Sequence, residues 1–290
     1  MFIQLKNHKV HIFSKMEIDT SKKSILFIPG AGMDHRILSM FKMDSFVDEY
    51  NIIAIDQPGH GYTTGPLFYD VESHTKLCIE VLNELNLKNL ILSGHSWGGL
   101  IALDLSTQYE NDMTICMNIA YPFLVGDLLL DYAKGNLDQC VEFLMKYGIY
   151  KMPETEIKTL GFGVKGSGFY GRSKGVIKSP YGTKTVEDDP EREIKLYPLK
   201  RLFNQTEKEI SSIDLKSCTN FRLKDDQISN IQNVKYIFCD KDKLARFDAE
   251  NIILKNVNPE EDVFILKETG HFPYFEDPDQ LEEVFKKILN

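Results

Sequence analysis

Continuous apolar runs recur along this chain: Ser24-Ile25-Leu26-Phe27-Ile28, Ile52-Ile53-Ala54-Ile55, Leu90 to Ser93 and Met113 to Ile119. None alternates with polar residues, so each reads as a strand covered on both faces, the pattern of a parallel sheet. Helical periodicity fills the gaps. Val71 to Leu85 puts Leu77, Val81, Leu82 and Leu85 on one stripe, and Leu100 to Tyr109 predicts a second helix. Ahead of these, Phe2 to Leu5 and Val10 to Phe13 read as an antiparallel hairpin.

The alternation of strand and helix stops at Tyr121-Pro122. Beyond that point the chain has helical patches, Leu137 to Tyr147 and Arg201 to Glu209, on either side of a glycine-rich interval from Gly161 to Gly182. Alternation resumes with a strand at Val234 to Cys239, a helix near Ala249 to Lys255, a strand at Val263 to Leu266 and a last helix from Pro278 to Leu289. The simplest account is one α/β core, residues 1–121 and 229–290, interrupted by an insertion over 122–228.

Composition narrows the choice of function. A net charge of −9 over 290 residues repels phosphate backbones, so nucleic acid is not an expected partner. No run reaches the ~20 apolar residues of a membrane span, and the first residues lack the apolar core of a signal peptide. A cytoplasmic location is the expectation. The five cysteines are scattered without a C-x-x-C pair, which fits buried thiols and gives neither a disulfide framework nor a metal site. Nothing points to a cofactor, and oligomeric state leaves no mark.

The chemistry concentrates at sheet-edge turns. Gly94-His95-Ser96-Trp97-Gly98-Gly99 joins a strand to a helix with a serine at the apex, a strained turn that needs unbranched neighbours. Such a turn lifts a hydroxyl clear of the sheet and points a helix N-terminus at it, which suits a nucleophile. A serine needs a base, and that base needs an orienting group. His271, in the loop after the Val263 to Leu266 strand, is the candidate base. Asp240 and Asp242 both follow the strand ending at Cys239; Asp242 is preferred because the loop needs a few residues to turn back over the edge, and Asp240 stays as the alternate. Backbone N–H groups of Ala31 and Trp97 are candidate donors to a developing oxyanion.

With Asp56-Gln57-Pro58-Gly59-His60-Gly61 and Gly270-His271-Phe272-Pro273, these segments resemble the landmarks of the α/β-hydrolase superfamily in order and spacing. The resemblance implies an α/β-hydrolase fold, a mostly parallel sheet flanked by helices, with the mainly helical insertion as a lid. It also implies Ser96 as nucleophile, Asp242 as acid, His271 as base, and an oxyanion hole from Ala31 and Trp97. One departure is Pro29-Gly30, where the family commonly has His-Gly, a histidine that orients the oxyanion loop. Similar dehalogenases and epoxide hydrolases carry aspartate at the elbow, where this chain has Ser96. His60 and His95 read as supporting residues.

Gly161-Phe162-Gly163-Val164-Lys165-Gly166 has the spacing of a phosphate-binding loop but neither follows a strand nor opens a helix, so nucleotide binding is not expected. Phe162, Phe169 and Tyr170 are instead candidate substrate contacts on a lid segment. The expected activity is hydrolysis of a small-molecule acyl substrate, most simply a carboxylic ester. The same residues could serve a thioester, lactone, amide or carbon–carbon bond, or a hydrolase-like protein that binds a ligand with little turnover.

Overall fold

The apolar runs fold as strands: β1 (Phe2–Gln4), β2 (Lys9–Ser14), β3 (Lys23–Ile28), β4 (Tyr50–Ile55), β5 (Leu90–His95), β6 (Met113–Met117), β7 (Val234–Cys239) and β8 (Val263–Leu266). The structure is a computed structural model, which describes residues 1–87, 89–153, 190–203, 209–229, 231–245 and 257–290. The strands form one sheet in the order β1-β2-β4-β3-β5-β6-β7-β8. Pairing is antiparallel between β1 and β2 and between β2 and β4, and parallel everywhere else. β4 and β5 are buried from end to end, which is why their sequences show no alternation.

Successive residues of β3 serve opposite layers of core. Ile25 and Phe27 pack with Phe41, Phe46 and Phe285 on one face, while Leu26 and Ile28 pack with Leu77, Val81, Leu100 and Leu103 on the other. α1 (Val71–Leu85) starts where the Asp70 carboxylate accepts the Ser73 N–H and stops at Asn86, which adopts a left-handed φ of 48°. α2 (Trp97–Ser106) begins three residues before the apolar pattern at Leu100 does, because Gly98 and Gly99 are helical residues here and not part of a loop.

Between β6 and β7 the chain forms α3 (Asp127–Gly135), α4 (Leu137–Gly148), α5 (Pro190–Phe203), α6 (Ile210–Asn220) and α7 (Asp225–Ser229). The helix expected at Arg201 to Glu209 begins within α5, which carries Pro198 in its interior, and residues 204–208 lie outside the described residues; α6 starts after Glu209. The helix expected near Ala249 to Lys255 lies outside the described residues, as do Phe162, Phe169 and Tyr170. Short helices α8 (Pro259–Asp262) and α9 (Pro273–Glu276) flank β8, and α10 (Pro278–Leu289) closes the chain. Among the described residues no helix is long and apolar enough to cross a membrane. All five cysteines are free and buried.

Asp56, at the end of β4, fastens the N-terminal strands to the loop after β3. Its carboxylate accepts hydrogen bonds from His11 Nδ1 on β2 (2.7 Å), from the His35 N–H (2.9 Å) and Nδ1 (2.8 Å), and from the Tyr62 N–H (3.1 Å). Burial pushes this carboxyl up, but the hydrogen bonds from His11 and His35 outweigh it and hold the group well below the ordinary carboxylate range. Removing the charge should therefore be costly. Asp56→Asn is expected to lower the unfolding free energy by roughly 3 kcal/mol at neutral pH, read from urea titration. A depressed carboxyl contributes stability that is complete above its unfolded value of 3.8 and is lost as pH falls through the folded value. The gap between wild-type and variant midpoints should accordingly hold down to about pH 5 and narrow only in more acid solution.

Candidate active site

Ser96 occupies the single residue between β5 and α2, with φ 53° and ψ −121°. Close packing imposes this conformation. A Cβ on Gly98 would lie 2.2 Å from the carbonyl oxygens of Ile28 and Pro29, and one on Gly94 would lie 2.2 Å from Gly98 O. The Ser96 N–H donates to Met117 O (2.8 Å), and its carbonyl accepts from Gly99 (2.9 Å), so the backbone is held from both sides. The hydroxyl makes no capping bond to α2 and lines a cavity.

His271 lines the same cavity, in the loop between β8 and α9. Its Nδ1 lies 2.7 Å from Asp242 Oδ2, and both side chains are buried. The other carboxylate oxygen of Asp242 accepts the N–H groups of Leu244 (2.7 Å) and Ala245 (3.0 Å), which fixes its orientation. With Nδ1–H given to Asp242, a neutral His271 carries its lone pair on Nε2. Asp240, the alternate acid, is exposed and lies 3.7 Å from the Lys241 ammonium. Of the two carboxylates, Asp242 is the one that meets His271.

The backbone of His271 is gripped as well. Its N–H donates to Gly148 O at the end of α4 (2.6 Å), and its carbonyl accepts from Asn118 Nδ2 (3.0 Å) and from His95 Nε2 (2.8 Å). Burial pulls the His95 imidazole well below its ordinary value, with His271 adding to the effect, so His95 stays neutral and acts as a donor. Glu276 secures the same loop: its carboxylate accepts the N–H groups of Gly270, Phe272, Tyr150 and Lys151. Burial nevertheless pushes the Glu276 carboxyl up.

The loop after β3 carries Gly30, Ala31 and Gly32. Met33 N–H closes it by donating to Gly30 O (3.1 Å), and Gly30 approaches so near that a Cβ would meet His95 Nδ1 at 2.9 Å. Gly32, at φ +67°, donates its N–H to Asp214 Oδ2 on α6 (2.8 Å). The Trp97 N–H belongs to the first turn of α2, where backbone donors have no intrahelical acceptor. Its indole Nε1 donates to Ser217 Oγ (2.7 Å), and its ring stacks on His60.

The cavity measures about 270 Å³. Ala31, Ser96 and His271 line it from the sheet edge, while Phe123, Val125, Leu129, Phe143, Phe203 and Leu215 contribute from the segment between β6 and β7. Among the described residues, exposed Lys243 is the one fully charged side chain on its wall. Sequence reading overlooks the contribution of α6. Ser211, Asp214 and Ser217 recur every three residues, a polar stripe on a helix, and that spacing was the available signal. Among the described residues, His11, His35 and Asp56 are grouped closely enough to hold a metal ion; none of the three lines the cavity, and both imidazoles already bond to the carboxylate.

A mostly parallel sheet with a serine on a strand-to-helix elbow, sharing a cavity with a histidine paired to a carboxylate, defines an α/β protein of hydrolase type. The alpha/beta hydrolase family profile matches residues 25–284, and the chain belongs to that family. Epoxide hydrolase 1 of Caenorhabditis elegans is 31% identical over 126 residues, 42% of this chain and 30% of its own length. The (E)-2-((N-methylformamido)methylene)succinate hydrolase of Acinetobacter baylyi is 32% identical over 107 residues, 36% of this chain and 38% of its own length. The matched stretches thus span about a third of these relatives. The enol-lactonase of Burkholderia xenovorans superposes over 100% of this chain and 99% of its own, with a TM-score of 0.73 and 14% identity.

The packing at the elbow gives a direct test. Gly98→Ala should cost at least about 1–3 kcal/mol in thermal or urea unfolding, since backbone carbonyls cannot move aside. Gly135→Ala, where an added Cβ meets nothing within 4 Å, should be neutral or stabilising by up to about 1 kcal/mol.

Proposed function

We propose that this protein is a serine hydrolase of small carboxylic esters. The observation that carries the reading is that Ser96, free of any cap bond, and His271 line one cavity, the imidazole held through Nδ1 by Asp242. Ser96 Oγ attacks the ester carbonyl while His271 Nε2 takes its proton. Negative charge builds on the carbonyl oxygen, where the N–H groups of Ala31 and Trp97 receive it. Collapse releases the alcohol, protonated by His271, and leaves an acyl group on Ser96. His271 then activates a water that frees the acid. Asp242 stays ionised and stabilises the imidazolium.

The segment over 122–228 acts as the lid in this reading, and its apolar wall favours a small apolar acyl group. Lactones and thioesters present the same carbonyl and fall within the same chemistry. Epoxide opening, the reaction named for one relative, does not suit a serine. Attack on an epoxide carbon would leave an ether on Ser96, with no carbonyl through which water could release it.

The reading is tested with p-nitrophenyl butyrate and a fluorophosphonate. The wild-type protein should hydrolyse the ester and gain the mass of one phosphonyl group on Ser96. Ser96→Ala should lose both the label and at least about 10³-fold of kcat. Asp242→Asn should lose kcat on a similar scale, while Asp240→Asn stays within about threefold of wild type. Full ester hydrolysis by Ser96→Ala would refute the proposal.

A further inference from the structure

α6 belongs to the segment between β6 and β7, yet its polar face is turned inward onto the loop that follows β3. Asp214, 1% exposed, sits at the centre of that face. Its Oδ2 accepts two hydrogen bonds, from the Gly32 N–H at 2.8 Å and from His60 Nε2 at 2.9 Å. Gly32 directly follows Ala31, one of the two donors assigned to the oxyanion. The loop also lies flush on the helix. A Cβ on Gly32 would stand 2.5 Å from Ser211 Oγ of α6 and 3.3 Å from Phe203 Cδ1 of α5, so the loop packs on these helices with no room for a side chain.

The remaining contacts prevent α6 from drifting away. His60 stacks on the Trp97 indole with ring centres 5.4 Å apart, and Trp97 Nε1 donates to Ser217 Oγ, which in turn donates to Asp214 O (2.7 Å). Both oxyanion candidates, Ala31 through its neighbour and Trp97 through its ring, are therefore indexed to one turn of α6. The usual family histidine is absent from position 29, where this chain has proline, a residue without an N–H to give.

We infer that Asp214 is a positioning residue for the oxyanion loop, so that the segment between β6 and β7 sets the geometry of transition-state stabilisation as well as enclosing the substrate. The inference rests on the serine-hydrolase reading. Asp214 touches neither substrate nor reacting atoms; it acts by anchoring the Gly32 N–H, one residue beyond the Ala31 N–H, and so holding the loop in place. Burial pulls the His60 imidazole down, but the Asp214 carboxylate outweighs it and raises the net value, which keeps a proton on the Nε2 that faces Asp214.

The test compares Asp214→Ala and Asp214→Asn with wild type, with rates expressed per active site titrated by fluorophosphonate. Asp214→Ala should lose about 10- to 100-fold in kcat with KM changed by less than about threefold, because a displaced donor weakens the transition state more than the ground state. Affinity for an alkyl boronic acid, a tetrahedral mimic, should fall by a similar factor. Asp214→Asn keeps an acceptor oxygen and should recover at least about a third of the wild-type kcat. Hydrogen exchange of a peptide covering residues 29–33 should quicken in Asp214→Ala and not in Asp214→Asn. Should Asp214→Ala fail to fold, His60→Leu combined with Asp214→Leu removes the buried pair as a unit and leaves the Gly32 N–H without its acceptor, and the same readouts apply. Wild-type kcat per titrated site in Asp214→Ala, equal losses in Ala and Asn, or unchanged exchange over 29–33 would each overturn the inference. A wild-type protein that hydrolyses no ester would instead overturn the serine-hydrolase reading, and the exchange measurement would still decide whether Asp214 holds the loop.

Discussion

How closely the first turn of α2 passes the end of β3 governs the geometry of the candidate site. Gly98 stands against the carbonyls of Ile28 and Pro29, and Gly94 stands against Gly98. Any side chain at either position would part these elements. Their contact forces the backbone of Ser96 into a conformation that costs energy on its own and is kept by the packing around it. It also sets the first turn of α2 against the end of β3, where the Gly30–Gly32 loop begins. Strain at the serine and the close approach of α2 to the loop after β3 are thus two results of one steric fact.

The segment between β6 and β7 is tied to this arrangement at both ends of the site. On one side Gly148 O and the N–H groups of Tyr150 and Lys151 engage the loop of His271 through direct bonding and through Glu276. On the other, α6 engages Gly32 and Trp97. Two buried carboxylates, Glu276 and Asp214, make the joins, each by accepting more than one donor. A carboxylate suits this task because its two oxygens can satisfy several N–H groups arriving from different elements. In these places the segment functions as part of the framework.

Much of the core was legible in sequence because the physics there is local. β7, β8, α1 and α10 run as their apolar patterns indicate, and α1 carries its own boundaries in Asp70 and Asn86. The start of α2 was less readable, since Trp97-Gly98-Gly99 looks like a turn until the neighbouring strand is known to require its glycines. α6 was missed for the opposite reason. Its buried face holds Ser211, Asp214 and Ser217, so a rule that places apolar residues inside reads the helix as having no inner face. Pro198 hid α5, because proline in sequence is taken as a boundary. Ser96, His271 and Asp242 stood out by type and by place at sheet edges, whereas Asp214 acts through a backbone N–H, and a backbone group leaves no letter in the sequence.

The buried thiols have a practical meaning beyond packing. Cys78, Cys116, Cys140 and Cys218 all lie in the core, on α1, β6, α4 and α6. Burial pushes the Cys78 and Cys140 thiols up to about 12, and the others are raised as well, so in the folded protein none offers a thiolate at neutral pH. Alkylation must therefore wait for local opening. The chain thus holds an internal clock: the rate of modification at each thiol times the opening of the element that carries it, α1 for Cys78, β6 for Cys116, α4 for Cys140 and α6 for Cys218.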